Sequence, residues 1–179
     1  YWYIERWWWG DNWLLGKLVE LRGNRARLDG CQFDLSSPVI MTPQKAGFWL
    51  GNYEAQERIA VQQIPDLGLP LVELGGGIGV VSCVSSKHFG NPSAHLVVEA
   101  NPNMIAVLEQ QRVLNGCNFS VLAANLAYEA AEVPFHVNAK FLASSALDVS
   151  DSYAQIINVP AISLGAILDQ QGFDNIVLI

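Results

Sequence analysis

The sequence is poor in basic residues, and this scarcity limits the partners that the protein can take. Ten lysines and arginines stand against 17 acidic residues, which gives a formal net charge of −7 and an isoelectric point near 4.8. Nucleic-acid binding requires a concentration of positive charge that neutralises phosphates. The composition therefore argues against a nucleic-acid partner.

Cysteine and long apolar runs are also scarce. Cys31, Cys83 and Cys117 are odd in number and widely spaced, which matches neither a metal-ligand spacing nor a disulfide framework. We expect three reduced, mostly buried thiols and no metal site. No apolar run reaches the length of a membrane span and no secretory signal is visible, so we expect a cytoplasmic protein without a membrane partner.

What the sequence does have is enough apolar residues for a large core. Of 179 residues, 51% are hydrophobic and only 15% are charged, a composition typical of a globular chain rather than a disordered one. The length suits one domain, or one domain with an N-terminal extension.

A glycine cluster in the middle of the chain is the strongest functional signal. Residues 69–74 form an apolar run interrupted by Pro70 and Glu73, and four of the next five residues are glycines. Glycine is needed where the backbone takes positive φ or must approach a ligand closely. From Ile78 onward the pattern predicts a helix. A strand, a glycine turn and a helix N-terminus together form the nucleotide-binding corner of a doubly wound, Rossmann-like α/β sheet.

The spacing of these glycines favours S-adenosylmethionine (SAM) over a dinucleotide. Dinucleotide sites follow G-x-G-x-x-G/A, in which the third small residue lets helix and strand pack closely. Counted from Gly75, the third position is Val80, which is too large; counted from Gly77, it is Ser82, which is tolerable. The pattern that fits without strain is an acid followed by alternate glycines: Glu73, Gly75, Gly77 and Gly79.

Two acids at strand ends complete the predicted cofactor site. SAM has no phosphate but carries an ammonium and a carboxylate, and an acid such as Glu73 would meet the ammonium while helix amides meet the carboxylate. Glu99 ends the next predicted strand, about 20 residues after the glycines, where an acid accepts both ribose hydroxyls. Because SAM and NAD share that ribose, Glu99 indicates a nucleoside without choosing between the two.

Several segments resemble the FkbM family of SAM-dependent methyltransferases. The residues that carry the resemblance are 53–54, 73–79, 97–102, 114–115, 132–135 and 159–164. It covers about residues 53–179 and implies a class I methyltransferase fold and methyl transfer, usually to a hydroxyl of a sugar, polyketide or related small molecule. One departure is Gly76, which stands where the family commonly has alanine or asparagine.

The resemblance also implies which residues bind SAM. Glu73, Gly75 and Gly77 would hold the methionine part, Glu99 the ribose and Asn125 the adenine edge. Gly76 and Ala100, which flank these positions, are included among the cofactor-binding residues. No general base is implied; His88, His95 and His136 are candidates by residue type, but each fits a structural position better, so the catalytic residues stay unassigned.

The N-terminal part, residues 1–52, is predicted to be an aromatic segment followed by a small β-meander, and residues 53–179 to be the SAM-binding domain. Tyrosines and tryptophans crowd residues 1–13 and are expected to dock on the domain itself or on a second copy, as a homodimer. Residues 17–35 read as three strands joined at Gly23-Asn24 and Asp29-Gly30. A helix over 53–64, with Ala55, Ile59, Ala60 and Ile64 inside, would place Tyr53 and Glu54 near the pocket.

The second half of the chain alternates between predicted strands and helices. Asn101 and Gly116 should cap one helix, with Met104, Val107, Leu108 and Leu114 as its buried stripe. The other elements are expected to be a helix over 78–89, strands over 95–99, 119–124 and 133–137 (the last antiparallel), an extended segment over 159–163, a helix over 164–171 and a buried strand over 175–179. Since a doubly wound sheet needs strands on both sides of the first and the last one here is the fourth, we expect the natural chain to continue beyond Ile179.

Two other functions remain open. An NAD-dependent oxidoreductase or epimerase would share the ribose acid but favours a small residue in place of Val80 and has no use for Glu73. A non-catalytic nucleotide-binding or interaction module would use the aromatic N-terminus as its functional surface. Fold alone does not separate these functions, because Rossmann-like sheets support many of them.

Overall fold

The computed structural model describes residues 2–128, 130–138 and 154–179, and it describes the side chains of residues 12–128, 130–137 and 155–179. The helices are α1 (Trp2–Leu21), α2 (Thr42–Leu50), α3 (Ala55–Gln63), α4 (Val80–His88), α5 (Pro102–Asn115) and α6 (Leu164–Gln171). The strands are β1 (Arg25–Leu28), β2 (Cys31–Asp34), β3 (Leu71–Leu74), β4 (His95–Glu99), β5 (Ser120–Ala123), β6 (Asn125–Leu126), β7 (Glu132–Asn138), β8 (Ala154–Ile162) and β9 (Val177–Leu178).

The centre of the fold is a parallel four-stranded sheet in the order β5-β4-β3-β9. Val97 of β4 packs against α4 and α5 on one face, whereas Leu96 and Val98 pack with Ile167 of α6 on the other. Helices therefore flank both faces, and β3 lies between neighbours, as predicted for the strand that precedes the glycine turn. The protein is an α/β protein compatible with a Rossmann-like fold.

A second, three-stranded sheet has the order β6-β8-β7. β6 runs parallel to β8, and β7 pairs with β8 in antiparallel fashion from Glu132 to Asn138. The predicted antiparallel strand over 133–137 is therefore confirmed, as are the extended segment after residue 159 and the helix ended by Gly172.

The predicted β-meander over residues 17–35 is wrong for its first strand. Residues 17–21 belong to α1, which ends where Gly23 and Asn24 take positive φ. Apolar residues in this stretch also fit helical spacing, so that Val19 is buried while Leu21 is 83% exposed. The hairpin itself is confirmed, because β1 and β2 pair around Asp29-Gly30 with positive φ at both turn residues, as a type I′ turn requires.

The predicted buried stripe of α5 is wrong at its last position. Met104, Val107 and Leu108 are buried, but Leu114 is 37% exposed and Gln111 is fully buried. Gln111 follows Met104 by seven residues, about two helical turns, and lies near the middle of the buried face, whereas Leu114, seven residues after Val107, lies at its edge. Gln111 accepts a hydrogen bond from the Asp34 amide at 3.0 Å and donates to the Asp34 carbonyl at 2.7 Å.

Two further expectations about burial are wrong for related reasons. In α3, Ile59 is 57% exposed, and the helix buries Val61 and the charged Arg58 instead. In β9, Leu178 is about half exposed, because among the described residues this strand pairs only with β3 and forms a sheet edge. α2 was not predicted, although Pro43 in its first turn and the Gln44 side chain, which accepts from the Met41 amide at 2.8 Å, are helix-start signals.

The two predicted segments share one apolar core. Leu28 and Phe33 of the hairpin lie in the same cluster as Val80 and Leu108 of the sheet-flanking helices. The three cysteines are buried in this cluster and form no disulfide. Within the described part of the chain, no helix has the length and apolarity needed to cross a membrane. The side chains of residues 1–11 lie outside the described residues, so docking by the aromatic N-terminus stays a prediction.

Replacing Gln111 by leucine should weaken the attachment of the hairpin to α5, which Asn115 also holds through two hydrogen bonds to Gln32. The change leaves the buried amide and carbonyl of Asp34 without partners, and we expect it to lower the free energy of unfolding by about 2–3 kcal/mol. Gln110→Leu is the matched control, because Gln110 is an exposed residue whose amide donates to the Asp34 carboxylate and not to the Asp34 backbone. Urea unfolding curves measure both; equal losses in the two variants would contradict the role given to Gln111.

Candidate functional site

The glycine turn lies at the carboxyl edge of the sheet, between β3 and α4. Gly75 has φ +93° and Gly77 has φ +51°, values that residues with a Cβ rarely adopt. The amides of Gly75 and Gly76 both donate to the Val98 carbonyl of β4, at 2.8 and 3.3 Å. The neighbouring strand therefore fixes the path of the turn.

The glycines of the turn fall into two kinds. At Gly76, a Cβ would lie 2.4 Å from Cγ1 of Val97, and at Gly79 one would lie 2.8 Å from Cδ1 of Leu108. At Gly75 and Gly77, nothing lies within 4 Å of the Cβ position. Gly76 and Gly79 therefore permit close packing of the turn on β4 and α5, whereas Gly75 and Gly77 border open space. Close packing also explains why this chain has glycine at position 76.

Glu99 connects β4 to this turn. One oxygen of its buried carboxylate, Oε2, accepts from the Gly77 amide at 2.7 Å, and Oε1 accepts from the Asn101 amide at 2.6 Å. Burial raises the pKa of Glu99, although backbone hydrogen bonds from Asn101, Gly77 and Ala100 act in the opposite direction. A carboxylate has about four acceptor positions, so beside these three amides this one retains about one position for a hydroxyl donor.

Glu73 occupies a different environment from Glu99. Its side chain is 2% exposed, and Oε1 accepts from the Ser82 hydroxyl at 2.8 Å. Oε2 lies 3.5 Å from Nε2 of His95, and neither atom has a hydrogen-bond partner within the described residues. The contacts of Glu73 therefore lie with α4 and β4, and its predicted contact with an ammonium group stays a prediction.

The remaining predicted cofactor residues are Ala100 and Asn125, which lie near Glu99 in the structure. Ala100 directly succeeds it and is half-buried. Asn125 begins β6, pairs with Ala161 and is also half-buried. The preceding residue, Ala124, donates its amide to the Glu99 carbonyl at 3.1 Å. The structure thus brings Gly77, Glu99 and the start of β6 to one edge of the sheet.

A cavity of about 610 Å³ is lined mainly by α2, the start of α3 and the segment between them, and its described lining includes Tyr53 and Glu54 but none of the predicted cofactor residues. The Tyr53 ring stacks on Phe48 of α2 with ring centroids 4.3 Å apart. Glu54 has φ +46°, a left-handed conformation that is uncommon for a residue other than glycine. Burial, followed by the negative charges of Glu73 and Glu57, raises the pKa of Glu54 to about 7.

Arg58 holds the segment that carries Tyr53 and Glu54, and it is a residue that sequence reasoning missed. Its buried guanidinium donates to the carbonyls of Tyr53 at 2.9 Å and Gly51 at 2.6 Å, and it pairs with Asp29 of the β1–β2 turn. Sequence periodicity gives no signal for it, because a charged residue is assigned to the solvent face by default.

Arg58→Met should loosen this segment. The variant keeps an unbranched apolar side chain but leaves Asp29 and two backbone carbonyls without their donor, and we expect a loss of about 2 kcal/mol in the free energy of unfolding. Arg112→Met removes an exposed pair with Glu109 and should change stability by less than about 0.5 kcal/mol. Thermal unfolding monitored by circular dichroism compares them; similar midpoints would contradict the anchoring role.

The three histidines occupy separate positions. Nε2 of His88 contacts the Ile64 carbonyl at 2.9 Å, and Nδ1 of the buried His95 contacts the Ser86 hydroxyl at 3.1 Å. His136 lies half-buried in β7. Within the residues that the structure describes, no group of three or more metal-ligating side chains could hold a metal ion.

The sheet edge offers open space and a partly free acceptor. Nothing lies within 4 Å of the Cβ positions of Gly75 and Gly77, and the Glu99 carboxylate beside them retains about one acceptor position. Comparison with known proteins adds no family to this picture: no family model matches the chain, and no curated protein matches it.

Proposed function

We propose that the protein is a SAM-dependent methyltransferase of the class I, FkbM-like type, which methylates a hydroxyl group of a small molecule or sugar. The observation that supports this most is the hydrogen bond between the Gly77 amide and the Glu99 carboxylate. It joins the turn expected to hold the methionine part to the acid expected to hold the ribose. A cytoplasmic location and a homodimer formed through the aromatic N-terminus belong to the same proposal.

In this reaction each part of the site has a separate task. Bound SAM supplies an electrophilic methyl group. Glu99 binds the ribose, the open side of the turn at Gly75 and Gly77 binds the methionine chain, and Asn125 borders the adenine. Together these contacts orient the nucleoside, and positioning of the acceptor oxygen in line with the methyl group accounts for much of the rate of such a displacement.

The packing of Val80 supports SAM over NAD. Val80 is fully buried at the first position of α4, where a dinucleotide fingerprint counted from Gly75 has a glycine or alanine. A dinucleotide site also has no role for Glu73. The NAD-dependent alternative therefore has less support, and it is tested in the same experiment as the main proposal.

Isothermal titration calorimetry of the protein in its full natural length tests the proposal. S-adenosylhomocysteine (SAH), the product form of the cofactor, should bind with micromolar affinity, and NAD should give no measurable heat. If the folded protein does not bind SAH, the methyltransferase proposal is refuted. If it binds NAD instead, the result favours the NAD-dependent oxidoreductase.

A further inference from the structure

The described residues that line the cavity beside α2 and α3 combine apolar surface with polar side chains, and the charged ones among them are acidic. Its volume of about 610 Å³ lies within the range of sites that bind small molecules. Among the described residues that line it, the polar ones besides Tyr53 are Asn12, Gln44, Asn52, Gln56, Glu54 and Glu57. No lysine, arginine or histidine is among them. Amides both donate and accept hydrogen bonds, as hydroxyl groups do.

The cavity lies near the glycine turn. Tyr53, which lines the cavity, packs against the apolar cluster that contains Ile78 of the glycine turn. The negative charge of Glu73, at the end of β3, also acts on the Glu54 carboxyl. A molecule in the cavity would therefore lie near the turn, although no residue of the turn is among the described residues that line the cavity.

We propose that this cavity binds the methyl acceptor as an uncharged or cationic polyhydroxyl compound, and that Glu54 accepts the proton of the hydroxyl that is methylated. The proposal rests on the methyltransferase function argued above and adds the acceptor class and a catalytic residue.

The charge of the lining selects the acceptor class. Two carboxyl groups without a basic partner in the described lining would repel a carboxylate or phosphate and attract an ammonium group. The four amides suit several hydroxyls at once. Sugars and amino sugars meet these requirements, whereas uronic acids and sugar phosphates do not.

The proposed step balances with Glu54 as the proton acceptor. The acceptor oxygen forms a bond to the methyl carbon as the bond from sulfur to that carbon breaks, and the electron pair of the broken bond stays on sulfur. The hydroxyl proton passes to the Glu54 carboxylate. The products are a methyl ether, SAH and protonated Glu54, which returns its proton to solvent.

The surroundings of Glu54 suit a base that works near neutral pH. The charged and titratable groups that act on it are Glu73 of β3, Glu57 and Arg58 of α3, and Tyr53; burial and the two carboxylates raise its pKa to about 7, whereas Arg58 acts in the opposite direction. A base with a pKa near the working pH combines a useful ionised fraction with sufficient basicity. Below pH 7 the carboxyl is mostly protonated and cannot accept a proton, so the rate should rise with pH and level off above it.

The test measures cofactor binding and methyl transfer separately in the full natural chain. The acceptor probes are methyl glucoside (uncharged), methyl glucosaminide (cationic) and methyl glucuronide (anionic), with SAM labelled at its methyl group. Glu54→Gln keeps the shape of the side chain and should fold, because the site already disfavours the charged form. Asp169→Asn, an exposed acid on α6 that is not among the cavity residues, is the isocharge control.

We expect methylation of the glucosaminide and the glucoside with little or none of the glucuronide. Glu54→Gln should lower kcat by about 100-fold or more and remove the rise with pH, while its Kd for SAH stays within about twofold of the wild type. Asp169→Asn should match the wild type. An unchanged rate and pH profile in Glu54→Gln, a preference for the glucuronide, or no transfer to any probe by a protein that binds SAH would overturn this inference. Failure of the wild type to bind SAH would instead refute the proposed function.

Discussion

Glu99→Ala is expected to weaken SAH binding by roughly 10- to 100-fold. The ribose would lose a hydrogen bond to a charged group, which contributes about 1.5–3 kcal/mol, and about 1.4 kcal/mol corresponds to a tenfold change in Kd. The Gly77 amide also loses its acceptor, so the turn is less firmly held in the shape that receives the methionine chain. Calorimetric titration of wild type and variant measures the change.

Two further variants distinguish loss of the ribose contact from a general effect on folding or charge. Glu99→Gln retains the volume and one carbonyl oxygen and should weaken binding less than alanine does. Asp169→Asn removes an exposed negative charge on α6 and should bind SAH as the wild type does. If Glu99→Ala is folded and binds SAH with the wild-type Kd, the ribose role of Glu99 is wrong.

Gly76→Ala is expected to lower the free energy of unfolding by about 3 kcal/mol, the upper part of the range for overpacking. The new Cβ would lie 2.4 Å from Cγ1 of Val97 and 2.9 Å from Cδ2 of Leu108, and both side chains are fully buried. Val97→Ala removes Cγ1, the atom nearest to the new Cβ. The loss of unfolding free energy in the double variant should therefore be smaller than the sum of the losses in the two single variants. Urea unfolding of all four proteins measures this coupling; additive losses would contradict the packing account.

Gly77→Ala provides the contrast within the same turn. Its φ of +51° strains any residue with a Cβ by about 1–2 kcal/mol, but nothing lies within 4 Å of the Cβ position. Stability should therefore fall less than in Gly76→Ala. SAH binding should fall more, because the added methyl group enters the space proposed for the methionine chain. The opposite order in both measurements would contradict the division of the glycines into two kinds.

The parts of the fold that the sequence predicted correctly depend on short-range signals. Asn101 caps α5 through its own side chain at 3.1 Å from the Asn103 amide, and Gly116 ends that helix in the left-handed conformation. Both effects act within a few residues of the cap. Two of the failures concern long-range partners: Gln111 and Arg58 are buried because Asp34 and Asp29, far away in the sequence, satisfy them.

The same distinction applies to the candidate site. The contact of Glu99 with the turn follows from the strand order and from a spacing of about 20 residues, so the sequence could predict it. The separate roles of Gly76 and Gly77 depend on where Val97 and Leu108 lie, which only the packed structure reveals. The cavity at Glu54 is lined in part by Pro43 and Gln44 of α2, a helix that the sequence analysis does not predict.

A crystal structure of the full-length protein with SAH tests the central claim most directly. The account predicts that a ribose hydroxyl bonds to the Glu99 carboxylate and that the methionine chain lies beside Gly75 and Gly77, with adenine near Asn125. SAH bound elsewhere on the protein, or crystals without SAH at the turn after soaking at a saturating concentration, would contradict it.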